Sequence, residues 1–165
     1  MRSSHAIAPL AFLALLLGPM TAGAAASCSV FSSTLSFGNY DVLSGTPTDS
    51  TTNVFIICLR DPPPNTETVS YTLALSVGGG SYAGRTMSNG AFTIEYNLYT
   101  SPAMTPASVW GNGTGGSTVV SASLAPLTAG NPIRLATHTI YGRIPARQDV
   151  RVGTYSGNVV LTMTY

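Results

Sequence analysis

The side chains that could do chemistry are few and scattered. A nucleophile needs a base beside it, acid–base work needs poised carboxylates, and a metal needs several ligands. The candidates are His138, the six acids Asp41, Asp49, Asp61, Glu67, Glu95 and Asp149, and the cysteines Cys28 and Cys58. His138 alternates in phase with Ile140 and Ile144, which reads as a partly buried strand residue. The acids stand mostly beside turns, where they serve backbone geometry, and no serine sits in a G-x-S-x-G context. Gly78-Gly79-Gly80 lacks the lysine and following helix of a phosphate loop. The expectation is therefore no catalytic residue, no metal and no cofactor.

The cysteines lead back to the start of the chain. Arg2, the apolar run Ala8 to Leu17 broken only by Pro9, and the small residues Ala22, Ala24, Ala25 and Ala26 read as an export signal over residues 1–26, cleaved after Ala24 or Ala26. The run is about half of the roughly 20 residues that span a bilayer, so no membrane span is expected in the mature chain. What remains, residues 27–165, suits one domain with a single core. In an oxidising compartment Cys28 and Cys58 are expected to pair, closing a loop for which chain entropy gives roughly 3 to 4 kcal/mol. A metal site is the alternative, with His138 to join them.

Charge removes further partners. All seven basic residues are arginine, charged residues make up 8% of the chain, and losing Arg2 leaves six arginines against six acids. Nucleic acid would need a basic stripe, and none exists. A mean hydropathy of +0.27 with so little charge predicts a surface of hydroxyls and amides that does little to prevent association.

The elements that position these residues read as strands and turns throughout. Ser27 to Phe37 holds a first strand interrupted at Ser32 and Ser33. Thr51 to Leu59 is apolar on both alternations, as in a central strand covered on both sides, and Asp61-Pro62-Pro63-Pro64-Asn65 stops it. Thr68 to Val77 places Val69, Tyr71, Leu73, Leu75 and Val77 on one face. Gly78 to Gly90 reads as a turn-rich loop, and Ala91 to Thr100 as a strand with Phe92, Ile94, Tyr96 and Leu98 on one face. His138 to Ile144 and the final Val159 to Tyr165 complete the set. Seven or eight strands with no helical periodicity predict an all-β, immunoglobulin-like sandwich. The last strand alternates Val159, Leu161, Met163 and Tyr165 against polar neighbours, with nothing after it to cover that apolar face.

The order of markers carries a resemblance. Cys28, Leu35-Ser36-Phe37-Gly38-Asn39-Tyr40, Cys58, Tyr71-Thr72-Leu73 and Arg85-Thr86-Met87 are followed by Tyr96-Asn97-Leu98-Tyr99, Val109-Trp110-Gly111, Tyr141-Gly142-Arg143-Ile144 and Gly153-Thr154-Tyr155. Over the whole mature chain this resembles the spore coat protein U domain family, which includes subunits of archaic, Csu-type chaperone-usher pili. The resemblance implies an incomplete immunoglobulin-like β-sandwich with an open edge for a donor strand. The partners it implies are a periplasmic chaperone, an outer-membrane usher and neighbouring pilus subunits, with secretion through the periplasm to the cell surface, a pilus or a spore coat. Val159, Leu161, Met163 and Tyr165 would line one wall of the groove and Leu35 and Phe37 the other, with the Tyr165 carboxylate held by the chaperone. Cys28 and Cys58 match the family disulfide. Fibre subunits carry an N-terminal donor arm before the first cysteine, and cleavage after Ala24 would leave only Ala25-Ala26-Ser27, which points to a fibre end or tip.

Two rival readings accompany this one. One is a spore or cell-coat component that associates with itself. The other is an adhesive module whose apolar loops, through Tyr82, Met87 and Trp110, contact a surface.

Overall fold

Residues 26–60 and 66–165 are described in the structure, a computed structural model. The expected export signal up to Ala25 and the Asp61–Asn65 segment lie outside the described residues. In chain order the strands are β1 (Ser27–Ser32), β2 (Thr48–Leu59), β3 (Ser70–Leu75), β4 (Gly79–Gly80), β5 (Arg85–Asn89), β6 (Phe92–Tyr99), β7 (Val120–Ser123), β8 (Ile133–Ile144) and β9 (Leu161–Thr164), with one 3-10 turn at Pro106–Ser108. They form a six-stranded sheet in the order β1-β2-β8-β6-β5-β4 and a three-stranded sheet in the order β7-β3-β9. All pairings between these strands are antiparallel.

The longest ladder joins β2 and β8 from Thr48↔Ile144 to Leu59↔Ile133. Period-2 alternation turns Val54, Ile56 and Cys58 of β2 and Ile140 and Ile144 of β8 into the core. They pack against Tyr71, Leu73 and Leu75 of β3, with Ile94, Tyr96 and Leu98 of β6 and the loop residues Trp110, Leu124 and Leu127 in the same cluster. The fold class is as the sequence predicts: an incomplete immunoglobulin-like sandwich. The disulfide Cys28–Cys58 joins β1 to β2 across one rung of their ladder.

Four local expectations are corrected. The strand read as starting at Thr51 begins at Thr48, and the one read from His138 begins at Ile133, because each continues the other's ladder. The stretch Gly78–Gly90 is not all loop: Gly78 and Gly80 take φ of +70° and +76°, a region that favours glycine, and the chain doubles back to pair Gly79 with Thr86. Phe92, two residues before the buried Ile94, is 42% exposed, with the Arg151 guanidinium 4.5 Å over its ring. Finally, β2 is covered on one side only. Phe55 and Ile57 are half-buried and Leu59 is 42% exposed, since the second sheet packs on the opposite face.

Among the described residues no helix is long and apolar enough to cross a membrane.

Candidate functional site

The site is a groove between two strand edges. Its first wall is the end of the chain. Ser76 donates its backbone N–H to Val160 O (2.8 Å), and Val160 donates its own N–H to Ser76 Oγ (2.8 Å). Ladder pairing alternates, so Val160, Thr162 and Thr164 face β3, and the backbone N–H and C=O of Val159, Leu161 and Met163 point away from it. The side chains of these three residues turn inward onto the core, whereas Val160 is 64% exposed on the outer face. The strand β9 is thus an edge, with apolar side chains below and unpaired backbone groups at its side.

The second wall is β1 and the chain after it. By the same alternation Ser27, Ser29 and Phe31 bond to β2, and the backbone groups of Cys28, Val30 and Ser32 face outward. Beyond Ser32 the ladder gives way to side-chain bonds: Thr52 Oγ1 donates to Ser33 O (3.1 Å) and Ser50 Oγ to Ser36 O (2.5 Å). Leu35 and Phe37 then dock over Gly142 of β8, where an added Cβ would stand 2.6 Å from Leu35 Cδ2 and 2.8 Å from Phe37 Cζ. The Phe37 ring meets Tyr96 edge-on at 6.0 Å.

Between these walls lies a cavity of about 260 Å³, floored by Leu75, Met87, Tyr96, Leu98 and Ile140. Among the described residues no charged side chain lines it. Beyond the cavity the two walls are joined at the chain end, where the Tyr165 hydroxyl accepts the Cys28 N–H at 3.2 Å. Past Phe37, the Tyr40 hydroxyl donates to Pro145 O and accepts from the Gln148 N–H, both at 2.8 Å, which ties the second wall to the loop after β8.

A buried cation supports the β9 wall. Arg85, fully buried, donates to Ser76 O (3.2 Å), Val77 O (3.2 Å), Trp110 O (2.6 Å) and Asn97 Oδ1 (2.6 Å). Burial pulls its pKa down, yet a guanidinium stays charged in proteins. Because Ser76 also holds Val160, the chain Arg85–Ser76–Val160 fixes the depth at which β9 sits. In the sequence Arg85 stands only as a marker of the resemblance and is given no role, although an arginine between two apolar-facing strands is the available signal.

Of the three residues proposed for surface contact, one is not at a surface at all. Trp110 is wholly buried and donates its indole N–H to Leu73 O at 3.2 Å. Met87 sits on β5 and floors the groove. Tyr82 is half-buried beside Arg85, its hydroxyl donating to Leu75 O at 3.0 Å. Trp110 is corrected from contact loop to internal support. His138 is half-buried and bonded through Nε2 to the Tyr71 hydroxyl at 2.7 Å, joining the two sheets; burial lowers its pKa.

Fold and groove together define a sandwich that lacks a strand between two apolar edges. The chain belongs to the Spore Coat Protein U domain family, whose model matches residues 16–162. No curated protein matches it in sequence. Among solved structures it is similar to a chain in the crystal structure of the CsuC–CsuE chaperone–tip adhesion subunit pre-assembly complex from archaic chaperone-usher Csu pili of Acinetobacter baumannii. The TM-score is 0.54 at 17% identity, covering 86% of this chain and 40% of that one. The likeness is one of fold.

Proposed function

We propose that this protein is a structural subunit of a chaperone-usher-type surface pilus and is completed by a strand from another chain. The observation that carries the reading is the facing pair of edges: Cys28, Val30 and Ser32 on one side and Val159, Leu161 and Met163 on the other. An extended segment between them would gain ladder bonds from both, and its alternate apolar side chains would enter the uncharged cavity. The walls run in opposite directions, since Tyr165 lies beside Cys28 while Val159 and Leu161 share the cavity with Ser32 to Leu35. An inserted strand is therefore parallel to one wall and antiparallel to the other.

Left open, two such edges are an aggregation hazard. That favours a periplasmic chaperone as first occupant, with an outer-membrane usher and neighbouring subunits acting later, and surface display as the outcome. Family membership and the fold likeness to a chaperone–subunit complex support this reading. The family's description also names a spore coat, and an adjacent chaperone and usher in the genome would favour the pilus over the coat.

The test is to add synthetic N-terminal segments of candidate partner subunits to the purified chain and follow thermal unfolding. At a hundredfold excess over Kd a ligand specific for the folded state adds about 2.7 kcal/mol, several degrees for a domain of this size. A folded chain whose melting ignores every such segment would sink the proposal.

A further inference from the structure

The six-stranded sheet carries a second apolar surface, on the face turned away from the groove. Since Val54, Ile56 and Cys58 are buried and Cys28, Val30 and Ala136 pack on the core, the alternate residues of β1, β2 and β8 all point outward. Register sets them in rows: Phe31–Phe55–Thr137, Ser29–Ile57–Leu135 and Ser27–Leu59–Ile133. Phe31 and Phe55 stack at 5.7 Å between centroids. Phe31, Leu59, Ile133 and Leu135 are 54, 42, 47 and 70% exposed. The other half of the same face is polar: Asn53 and Thr139 share a hydrogen bond (3.1 Å), and Arg143 makes a bidentate ion pair with Asp49 at 2.7 Å in both arms.

We infer that this apolar half-face is a self-association surface, covered by the same half-face of a second copy of the chain. Its extent is on the order of 500 Å², among the largest patches a monomer shows. Two copies together bury about 1,000 Å², the lower limit for a specific interface, so the contact is weak and concentration-dependent. The charge pattern selects the occupant. An anionic lipid surface needs exposed cations, and among the described residues of β1, β2 and β8 the arginine on this face, Arg143, is held by Asp49. A second copy needs none, and a two-fold arrangement pairs the apolar halves while leaving both ion pairs in water, where burial does not cost them their hydration.

The experiment is sedimentation of the purified full chain from micromolar to millimolar concentration. The wild type is expected to show a reversible monomer–dimer equilibrium, weakened at least about tenfold by Leu135→Glu, which would bury a charge, and measurably by the uncharged Phe31→Ser. Mixing Leu135→Glu with Leu135→Arg should restore dimers that neither forms alone, because only a face that meets itself brings the two positions together. Association through the groove edges would ignore all of these changes, and that outcome overturns the inference. So does a wild type that stays monomeric throughout, or a monomer that binds neutral vesicles through Leu135.

Discussion

Tyr165 reaches across the groove to Cys28, and the Cys28 N–H that its hydroxyl accepts at 3.2 Å is one of the groups an incoming strand would need. The bond occupies the end rung. Removing it with Tyr165→Phe forfeits a net hydrogen bond of about 1 kcal/mol. Resting stability should fall by no more than that, while affinity for a donor segment should rise by up to about fivefold. Titration of a fluorescent segment by anisotropy measures this, and an unchanged affinity would show that the bond does not compete with the strand.

Gly142 is the small residue that admits the second wall. A Cβ there would stand 2.6 Å from Leu35 and 2.8 Å from Phe37, both at side-chain ends that have some room to shift. Gly142→Ala should therefore be mild. Gly142→Val should cost about 1–3 kcal/mol, and the loss should appear in urea unfolding with Phe37 displaced from the Tyr96 ring. If Val is as mild as Ala, the docking of Leu35 and Phe37 does not depend on Gly142.

Much of this wall was legible from residue order, and some was not, for physical reasons. Val159, Leu161 and Met163 announce their inward face because a half-buried strand has period 2. Met87 and Trp110 mislead because glycine-rich surroundings look like exposed loop; here the glycines turn the chain sharply enough to fold both residues back inside. Phe55 and Ile57 mislead in the other direction. An apolar run on both alternations normally means two covering layers, whereas here their outward cover is cross-strand neighbours, Phe31 and Leu135 among them. Which backbone groups lack partners is a property of register, and composition does not encode it.

Arg85 should be irreplaceable by either an apolar or a cationic residue. Arg85→Met would leave Ser76 O, Val77 O, Trp110 O and Asn97 Oδ1 without the donor that meets them, at a cost of about 3–5 kcal/mol. Arg85→Lys keeps the charge but offers a single point in place of a planar fork, so it should rescue less than half of the loss. Equilibrium unfolding of both variants checks this. The groove makes a second readout: with Ser76 no longer anchored, amide exchange at Val160 and Thr162, whose N–H groups face β3, should quicken before global unfolding.

Acid should weaken the fold in two separable steps. Burial holds the His138 pKa below its usual 6.5, so protonation favours the unfolded chain. The stability that neutral His138 contributes is complete above about pH 6.5 and is lost as pH falls through the lower folded value. Asp49 comes later: its hydrogen bond to Arg143 holds its pKa below the usual 3.8, so that contribution is full above pH 3.8 and disappears only as pH drops further. Unfolding free energy measured against pH should therefore decline first below about pH 6.5 and again below about pH 4. His138→Gln should flatten the first decline and spare the second, and Asp49→Asn should do the reverse. Tyr71→Phe, which removes the 2.7 Å bond across the two sheets, should lower stability at neutral pH and leave the acid limb from Asp49 in place. A first decline that survives in His138→Gln would assign it to some other group.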